Sequence, residues 1–267
     1  MKLSPCPFFS IIIPTYNSAK TLDACLKSLE AQFCKDFEVV IIDGVSADHT
    51  MSIVDAYGVN SNNIIRVSEK DNGIYDAMNK GVQLAKGDCI YFLGSDDKIY
   101  KPDVLGKIKE AFTKDILIDV IYGNIVSTRF QGVYDGEFTK EKILHQNISH
   151  QAIFFKREIL LKTGKFDLKY KSHADWDHNL RWFLSGNIKK KYIDLIIADY
   201  ADGGFSSISG DTTFFKDINL KYLKYGHRVL SFSRKFLMWK NELKQALVKR
   251  QLGKVISVLL HSPFVVY

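Results

Sequence analysis

The sequence predicts an α/β fold: a mostly parallel sheet covered by helices on both faces. Short runs nearly continuous in Ile, Val and Phe recur along the first hundred residues, too apolar for a sheet with one wet face. Segments with apolar residues at helical spacing separate them. Each run gives way to polar residues at its C-terminal end, where open α/β sheets bind their ligands.

The first run, Phe8 to Ile13, meets Pro14, and Ser18 to Phe33 then places Ala19, Leu22, Cys25, Leu26, Leu29 and Phe33 at helical spacing behind a Ser18 cap. The second, Phe37 to Ile42, ends at Asp43 and leads to a helix over Ala47 to Tyr57, with Ser46 as cap and Gly58 as stop. A third strand, Ile64 to Val67, runs into Asp71, Asn72 and Gly73, and a helix from Ile74 to Ala85 follows. The fourth, Cys89 to Leu93, breaks off at Gly94, Ser95, Asp96 and Asp97.

Four parallel strands would gather Thr15, Tyr16 and Asn17, then Asp43, Glu69 to Gly73, and Ser95 to Asp97 on one edge. Each group alone has an ordinary reading as a turn or cap; their convergence points to a ligand. No Gly-x-Gly-x-x-Gly or Gly-x-x-x-x-Gly-Lys-Ser/Thr follows any strand, which argues against a dinucleotide enzyme or a P-loop NTPase. A diphosphate beside carboxylates needs a divalent cation, and Mg²⁺ or Mn²⁺ binds through one or two carboxylates while substrate phosphates and water complete its shell.

Composition is that of a globular chain: 46% of the 267 residues are hydrophobic and 13% aromatic, enough for one large domain and a tail. The apolar stretches are too short for a spanning helix or a signal peptide, so a cytoplasmic chain is expected. Cys6, Cys25, Cys34 and Cys89 form no CxxC pair and read as buried thiols, and Asn147, Ile148, Ser149 is a glycosylation sequon without a secretory context. The net charge of +7 is uneven: residues 211–267 hold 11 Lys and Arg against 3 Asp and Glu, the other 210 residues 26 against 27. The expected organisation is one domain over 1–210, divided into halves 1–110 and 111–210, and a basic amphipathic helical tail over 211–267.

With these residues in view, the chain resembles the inverting nucleotide-sugar glycosyltransferases of family two over residues 8 to 205. The matching motifs are Ile11-Ile12-Ile13-Pro14-Thr15-Tyr16-Asn17, Ile41-Ile42-Asp43-Gly44-Val45-Ser46-Ala47-Asp48-His49-Thr50, and the run Ser68 to Asp97 with Gly73 to Gly81 inside it. That last run is similar to the branch found in bacterial capsule, colanic-acid and O-antigen polysaccharide clusters. The resemblance implies the GT-A fold, a mostly parallel Rossmann-like sheet flanked by helices, with a nucleotide-sugar-binding half and an acceptor-binding half.

It also implies roles. Asp43 would accept a hydrogen bond from the base, a UDP-sugar being favoured because uracil offers an imide N–H, with Pro14, Thr15, Tyr16 and Asn17 lining that pocket. Gly73, Asp76, Asn79 and Lys80 fall on the same donor side. Ser95, Asp96, Asp97 stands where the family has its Asp-x-Asp motif, so Asp97 would ligate the metal and Asp96 hold the ribose or the metal. Ser95 replaces an Asp of many members, and Asn72 replaces a lysine, a cation that Lys70 or Lys80 would supply.

Ser172 to Gly186 reads as a helix with acidic residues in its first turn. A carboxylate there caps the helix, and the same unpaired N–H groups keep it ionised and ready to accept a proton. Asp175 matches the aspartate of the family's Glu-Asp motif, with Ala174 in place of the glutamate, and is the expected catalytic base ahead of Asp177. The reaction is then one in-line displacement with inversion. His150 and Gln151, before the strand Ala152 to Phe155, are candidates for touching the donor sugar or its diphosphate, a structural histidine being the alternative; Trp176 and Asp177 complete the acceptor and sugar side. Asp202 to Ser206 reads as a loop that could close over the diphosphate.

From Thr213 to Leu259 the chain looks helical, with aromatic and aliphatic residues among Lys and Arg. A helix lying on an anionic membrane and a packed helical pair with a basic face are the two readings. The first suits a saccharide or polyprenyl-linked acceptor at the cytoplasmic face of an inner membrane; no nucleic-acid module accompanies the charge. The rival functions are a sugar-phosphate nucleotidyltransferase, which would want a glycine-rich loop where Pro14 to Asn17 stand, and a non-catalytic nucleotide-sugar-binding protein.

Overall fold

The computed structural model describes residues 6–59, 63–202, 210–226 and 229–263. Strands β1 (Phe9–Thr15), β2 (Phe37–Asp43), β3 (Ile64–Ser68) and β4 (Cys89–Phe92) alternate with helices α1 (Leu22–Glu30), α2 (Thr50–Val59) and α3 (Ile74–Leu84). All pairings among these four strands are parallel. There follow β5 (Lys98–Ile99), α4 (Val104–Lys114), β6 (Val120–Ser127), β7 (Gly132–Tyr134), β8 (Ile153–Lys156), α5 (Arg157–Thr163), α6 (Ala174–Phe183) and β9 (Lys190–Asp199). The sheet order is β3-β2-β1-β4-β8-β6-β9-β5, with β7 on β6. Beyond β4 the sheet is mixed, because β8 runs antiparallel to both β4 and β6 while β9 is parallel to β6.

Two cores sandwich the sheet, which is why its strands carry no polar alternation. Ile12, Val40, Ile42, Ile90 and Phe92 enter one core; Phe9, Ile11, Ile13, Val39, Ile41 and Tyr91 enter the other. Each fully buried Ile or Val contributes about 1.5–3 kcal/mol over its exposed state. The register pairs Thr15 with Asp43 and Asp43 with Ser68, so the first three strands end level and their loops share one edge.

Two helix starts differ from expectation because their capping residues serve the loops instead. The α1 helix begins at Leu22, since Ser18 donates its N–H to Thr50 Oγ1 at 2.7 Å and its hydroxyl pairs with that of Ser95 at 2.8 Å. The α2 helix begins at Thr50: Asp48 accepts its N–H at 3.0 Å, while Ser46 is drawn to Asp43.

Helices α7 (Thr212–Tyr225), α8 (Phe232–Val248) and α9 (Leu252–Leu260) end the chain. Phe214 and Tyr222 of α7 are buried in the main core, and Asp211 both caps α7 at Phe214 N and accepts the N–H of Ser172 before α6. Residues 211–225, grouped with the tail by charge, thus share the core of the second half. The α8 and α9 helices pack on each other through Trp239 Nε1–H to the Val258 carbonyl and a buried Glu242–Lys254 ion pair at 2.9 Å. No described helix is long and apolar enough to cross a membrane.

Candidate active site

A cavity of about 770 Å³ opens at the level ends of the parallel strands. Pro14, Thr15, Tyr16 and Asn17 line one wall, Lys70, Asp71, Gly73, Ile74 and Ala77 another, and Gly94, Ser95 and Asp96 the floor. Asn17 takes φ +50°, a conformation asparagine tolerates, and its Oδ1 accepts Ala47 N–H, tying the first loop to the second. Of the sequence-derived donor residues, Pro14, Thr15, Tyr16, Asn17, Gly73, Ser95 and Asp96 line this space.

The other donor-side residues do not. Asp76 accepts the N–H and side-chain amide of Asn72 at 3.0 and 3.1 Å, as a cap of the α3 turn. Asn79 is buried and pairs both its amide atoms with the backbone of Phe166. Lys80 donates to the Lys70 carbonyl and pairs with Glu69 at 2.9 Å. Asp76 and Lys80 stabilise the turn that presents Asp71 and Gly73, while Asn79 ties α3 to the segment at Phe166. Asp43 is fully buried behind the wall: it accepts from Ser46 N at 3.0 Å, Ser68 Oγ at 2.6 Å, Ser46 Oγ and Thr15 Oγ1.

Asp96 and Asp97 fold back over Gly94, where a Cβ would stand 2.4 Å from Asp97 Oδ2 and 2.8 Å from Asp96 Oδ1; only glycine permits that approach. Asp97 is 1% exposed and accepts Gln151 Nε2 at 2.7 Å and Ala201 N at 2.9 Å. Burial, then the charge of Asp96, pushes its carboxyl up to about 6 against those hydrogen bonds and the nearby His150. A buried carboxylate, Asp97, beside a partly exposed one at the cavity, Asp96, is a donor set that a hard divalent cation fits, with phosphate oxygens and water to complete it. Among the described residues no group of three or more His, Cys, Asp or Glu side chains is placed to hold a metal ion by itself.

Asp175 lies in the first turn of α6, 7% exposed. Its Oδ1 accepts Tyr75 OH at 2.9 Å and Trp176 N at 2.8 Å; its Oδ2 accepts Asn147 Nδ2 at 2.9 Å and lies 3.7 Å from His150 Nδ1. Burial works to raise this carboxyl, but the nearby His150, then the Tyr75 hydrogen bond and the charge of His173, carry it below the ordinary range. A carboxylate has about four acceptor positions, so one on Oδ2 stays open to a hydroxyl. His150 is nine-tenths buried, and its Nε2 has no hydrogen-bond partner among the described residues.

Trp176 and Asp177 are both engaged inside the protein. Trp176 donates to the Ile143 carbonyl and packs among His173 and Phe214, and Asp177, 2% exposed, pairs with Lys221 at 2.5 Å and Arg181 at 3.2 Å. Gln151 acts through Asp97, as described. Of the loop Asp202 to Ser206 only Asp202 lies within the described residues, where it accepts from Ser127 Oγ and Arg129 N. Tyr75 and Asn147, which hold Asp175, were not singled out by their chemistry; Asn147 sits in a sequon and Tyr75 inside the Gly73–Gly81 motif, whose regularity was the available signal.

Comparison with known proteins agrees with this geometry. The family model of glycosyl transferase family 2 matches residues 10–175. A PGL/p-HBAD biosynthesis glycosyltransferase of Mycobacterium bovis is 36% identical over 249 residues, 91% of this chain and 95% of the relative. Among solved structures, TarS of S. aureus (residues 1–349, with UDP-GlcNAc) superposes with a TM-score of 0.69 at 21% identity, covering 94% of this chain and 79% of TarS. The mannosyltransferase PcManGT of Pyrobaculum calidifontis, in complex with GDP-Man and Mn²⁺, gives 0.61 at 16% identity, covering 96% and 74%. The level strand ends, the acidic floor and the match over residues 10–175 have one common explanation: the chain is a GT-A-fold member of glycosyl transferase family 2.

Proposed function

We propose that the protein is an inverting glycosyltransferase that moves a sugar from a nucleoside-diphosphate donor, a UDP-sugar by preference, to a hydroxyl of a saccharide or lipid-linked saccharide in cell-surface polysaccharide or glycolipid assembly. The observation that carries this reading is the pairing of an open polar cavity with a buried carboxylate, Asp175, held by three donors and keeping one acceptor position free. The related glycosyltransferase of PGL/p-HBAD biosynthesis and the UDP-GlcNAc and GDP-Man complexes of the structural neighbours support the donor class.

In this mechanism Asp175 takes the proton of the acceptor hydroxyl as its oxygen attacks the anomeric carbon. The bond from that carbon to the diphosphate oxygen breaks on the opposite face, its electron pair leaves with the diphosphate, and configuration inverts. Tyr75 and Asn147 fix the carboxylate, so little reorganisation is needed during transfer. A Mn²⁺ or Mg²⁺, which Asp96 and Asp97 would hold, would supply charge neutralisation at the departing diphosphate.

The α8–α9 pair supports peripheral membrane contact. Leu237, Leu247, Leu252, Ile256 and Leu259 are each about half exposed or more, beside Lys240, Lys244, Lys249 and Arg250. Apolar side chains ringed by cations suit an anionic bilayer surface. Co-sedimentation with phosphatidylglycerol vesicles should fall when Leu252, Ile256 and Leu259 are changed to Ser; unchanged binding would remove the membrane from this reading.

The central test is a panel of nucleotide sugars with membrane extract or lipid-linked acceptor, with Mn²⁺ or EDTA, read as acceptor-dependent release of nucleoside diphosphate. Release with one donor, abolished by EDTA, is expected. Tight donor binding without turnover on any acceptor would favour a non-catalytic binder.

A further inference from the structure

The end of the cavity beneath Tyr16 is closed by three loop tips: Tyr16 after β1, Gly44 after β2 and Asp71 after β3. A Cβ on Gly44 would stand 2.9 Å from Asp71 Oδ2 and 3.3 Å from Tyr16 Cδ2. The aromatic ring and the carboxylate therefore border the same small space, left open because residue 44 has no side chain. Asp71 Oδ1 accepts Gly73 N–H at 2.9 Å, whereas Oδ2 accepts nothing from the described residues. The Tyr16 ring is 67% exposed, a free face on which a planar heterocycle can stack.

Asp43 cannot offer the same service. Its two oxygens already accept Ser46 N–H and the Ser46 and Ser68 hydroxyls, with the Thr15 hydroxyl at 3.4 Å from the last position, and it is fully buried. It holds the wall in place and does not line the cavity.

We infer that Asp71, and not Asp43, reads the nucleobase, and that it selects a base whose pairing edge presents one ring N–H between two carbonyls, the imide of uracil or thymine. The inference rests on the reading of this cavity as a nucleoside-diphosphate-sugar site. An ionised carboxylate only accepts hydrogen bonds. Adenine and cytosine turn an unprotonated ring nitrogen toward that position, so two lone pairs oppose each other. Guanine presents a ring N–H beside an amino group, and that amino group would have to share Oδ1 with the Gly73 N–H, so it fits less well than an imide that uses Oδ2 alone. The imide needs one acceptor and finds one.

The test is calorimetric binding of UDP, dTDP, GDP, CDP and ADP, each with Mn²⁺, to the full chain and to Asp71→Asn and Asp43→Asn. The wild type should bind UDP or dTDP at least tenfold more tightly than the other three, and the 2′-hydroxyl arm separates UDP from dTDP. Asp71→Asn places an amide N–H donor at the same point, so UDP should weaken about tenfold while CDP gains, narrowing or reversing their ratio. A merely structural loop residue would weaken all five alike, and that result overturns the inference. So would an unchanged UDP to CDP ratio in Asp71→Asn, or a ratio that shifts only in Asp43→Asn. If the wild type binds none of the five, the reading of the cavity itself fails, and that outcome is distinct from the others.

Discussion

The donor rim and the start of α6 are built on opposite principles. On the rim, Tyr16, Lys70, Asp71 Oδ2 and Asp96 present groups to the cavity that solvent can reach. At α6, Asp175 is buried and bonded to Tyr75, Asn147 and Trp176, and Asp177 two residues on is buried and doubly ion-paired. A binding surface keeps its hydrogen bonds available for the ligand; a proton-accepting group has its geometry fixed before the ligand arrives. Within α6 the contrast repeats, since Asp175 keeps one acceptor position open while Asp177 is neutralised by Lys221 and Arg181.

The largest predicted effect separates those two aspartates. Asp175→Asn should lower kcat by about 10²–10⁴-fold with donor affinity and Tm near those of the wild type. Asp177→Asn leaves two partly buried cations without their counter-charge, and should cost about 2–4 kcal/mol of stability, read as a fall in Tm or urea midpoint. Reversed results, with Asp177→Asn folded but inactive and Asp175→Asn active, would break the comparison.

A middle-sized effect belongs to Tyr75. Removing its hydroxyl from Asp175 takes away a hydrogen bond to a charged group, worth about 1.5–3 kcal/mol, so Tyr75→Phe should reduce kcat about tenfold or more. The sign of the pH effect follows. Asp175 lies below the ordinary carboxylate range partly through Tyr75, and only its ionised form accepts a proton. Its activity is therefore lost as pH falls through that pKa, and Tyr75→Phe raises the pKa, moving the acid limb of the kcat/KM profile to higher pH. A limb that stays in place, or moves down, would assign the base elsewhere.

How far the sequence revealed each region follows from the range of the contacts involved. The donor half could be read nearly loop by loop, because Pro14 to Asn17 and Ser95 to Asp97 take their positions from the strands they follow, and parallel pairing levels those ends. Readings failed there where a polar group had a choice of partner: Ser18 and Ser46 are good caps by type, but Thr50 and Asp43 claimed them across the chain. In the acceptor half the partners are remote. Tyr75 lies 100 positions from Asp175, and Asp177 is neutralised by Lys221 on α7, a helix that bulk charge alone assigned to the tail. No local pattern could report either contact.

The smallest effect tests the donor rim by itself. Lys70 and Lys80 were equal candidates for the cation beside the diphosphate, and the structure distinguishes them: Lys70 lines the cavity and is exposed, while Lys80 is tied to Glu69 and the Lys70 carbonyl and lies outside the lining. An exposed lysine near a diphosphate contributes modestly and is screened by salt, so Lys70→Ala should weaken UDP binding about two- to fivefold at low ionic strength, with the difference fading near 1 M salt. Lys80→Ala should leave the dissociation constant of UDP unchanged at both. A larger loss in Lys80→Ala than in Lys70→Ala would mean that ligand binding breaks the Glu69 pair and recruits Lys80, making the rim as dependent on committed contacts as α6 is.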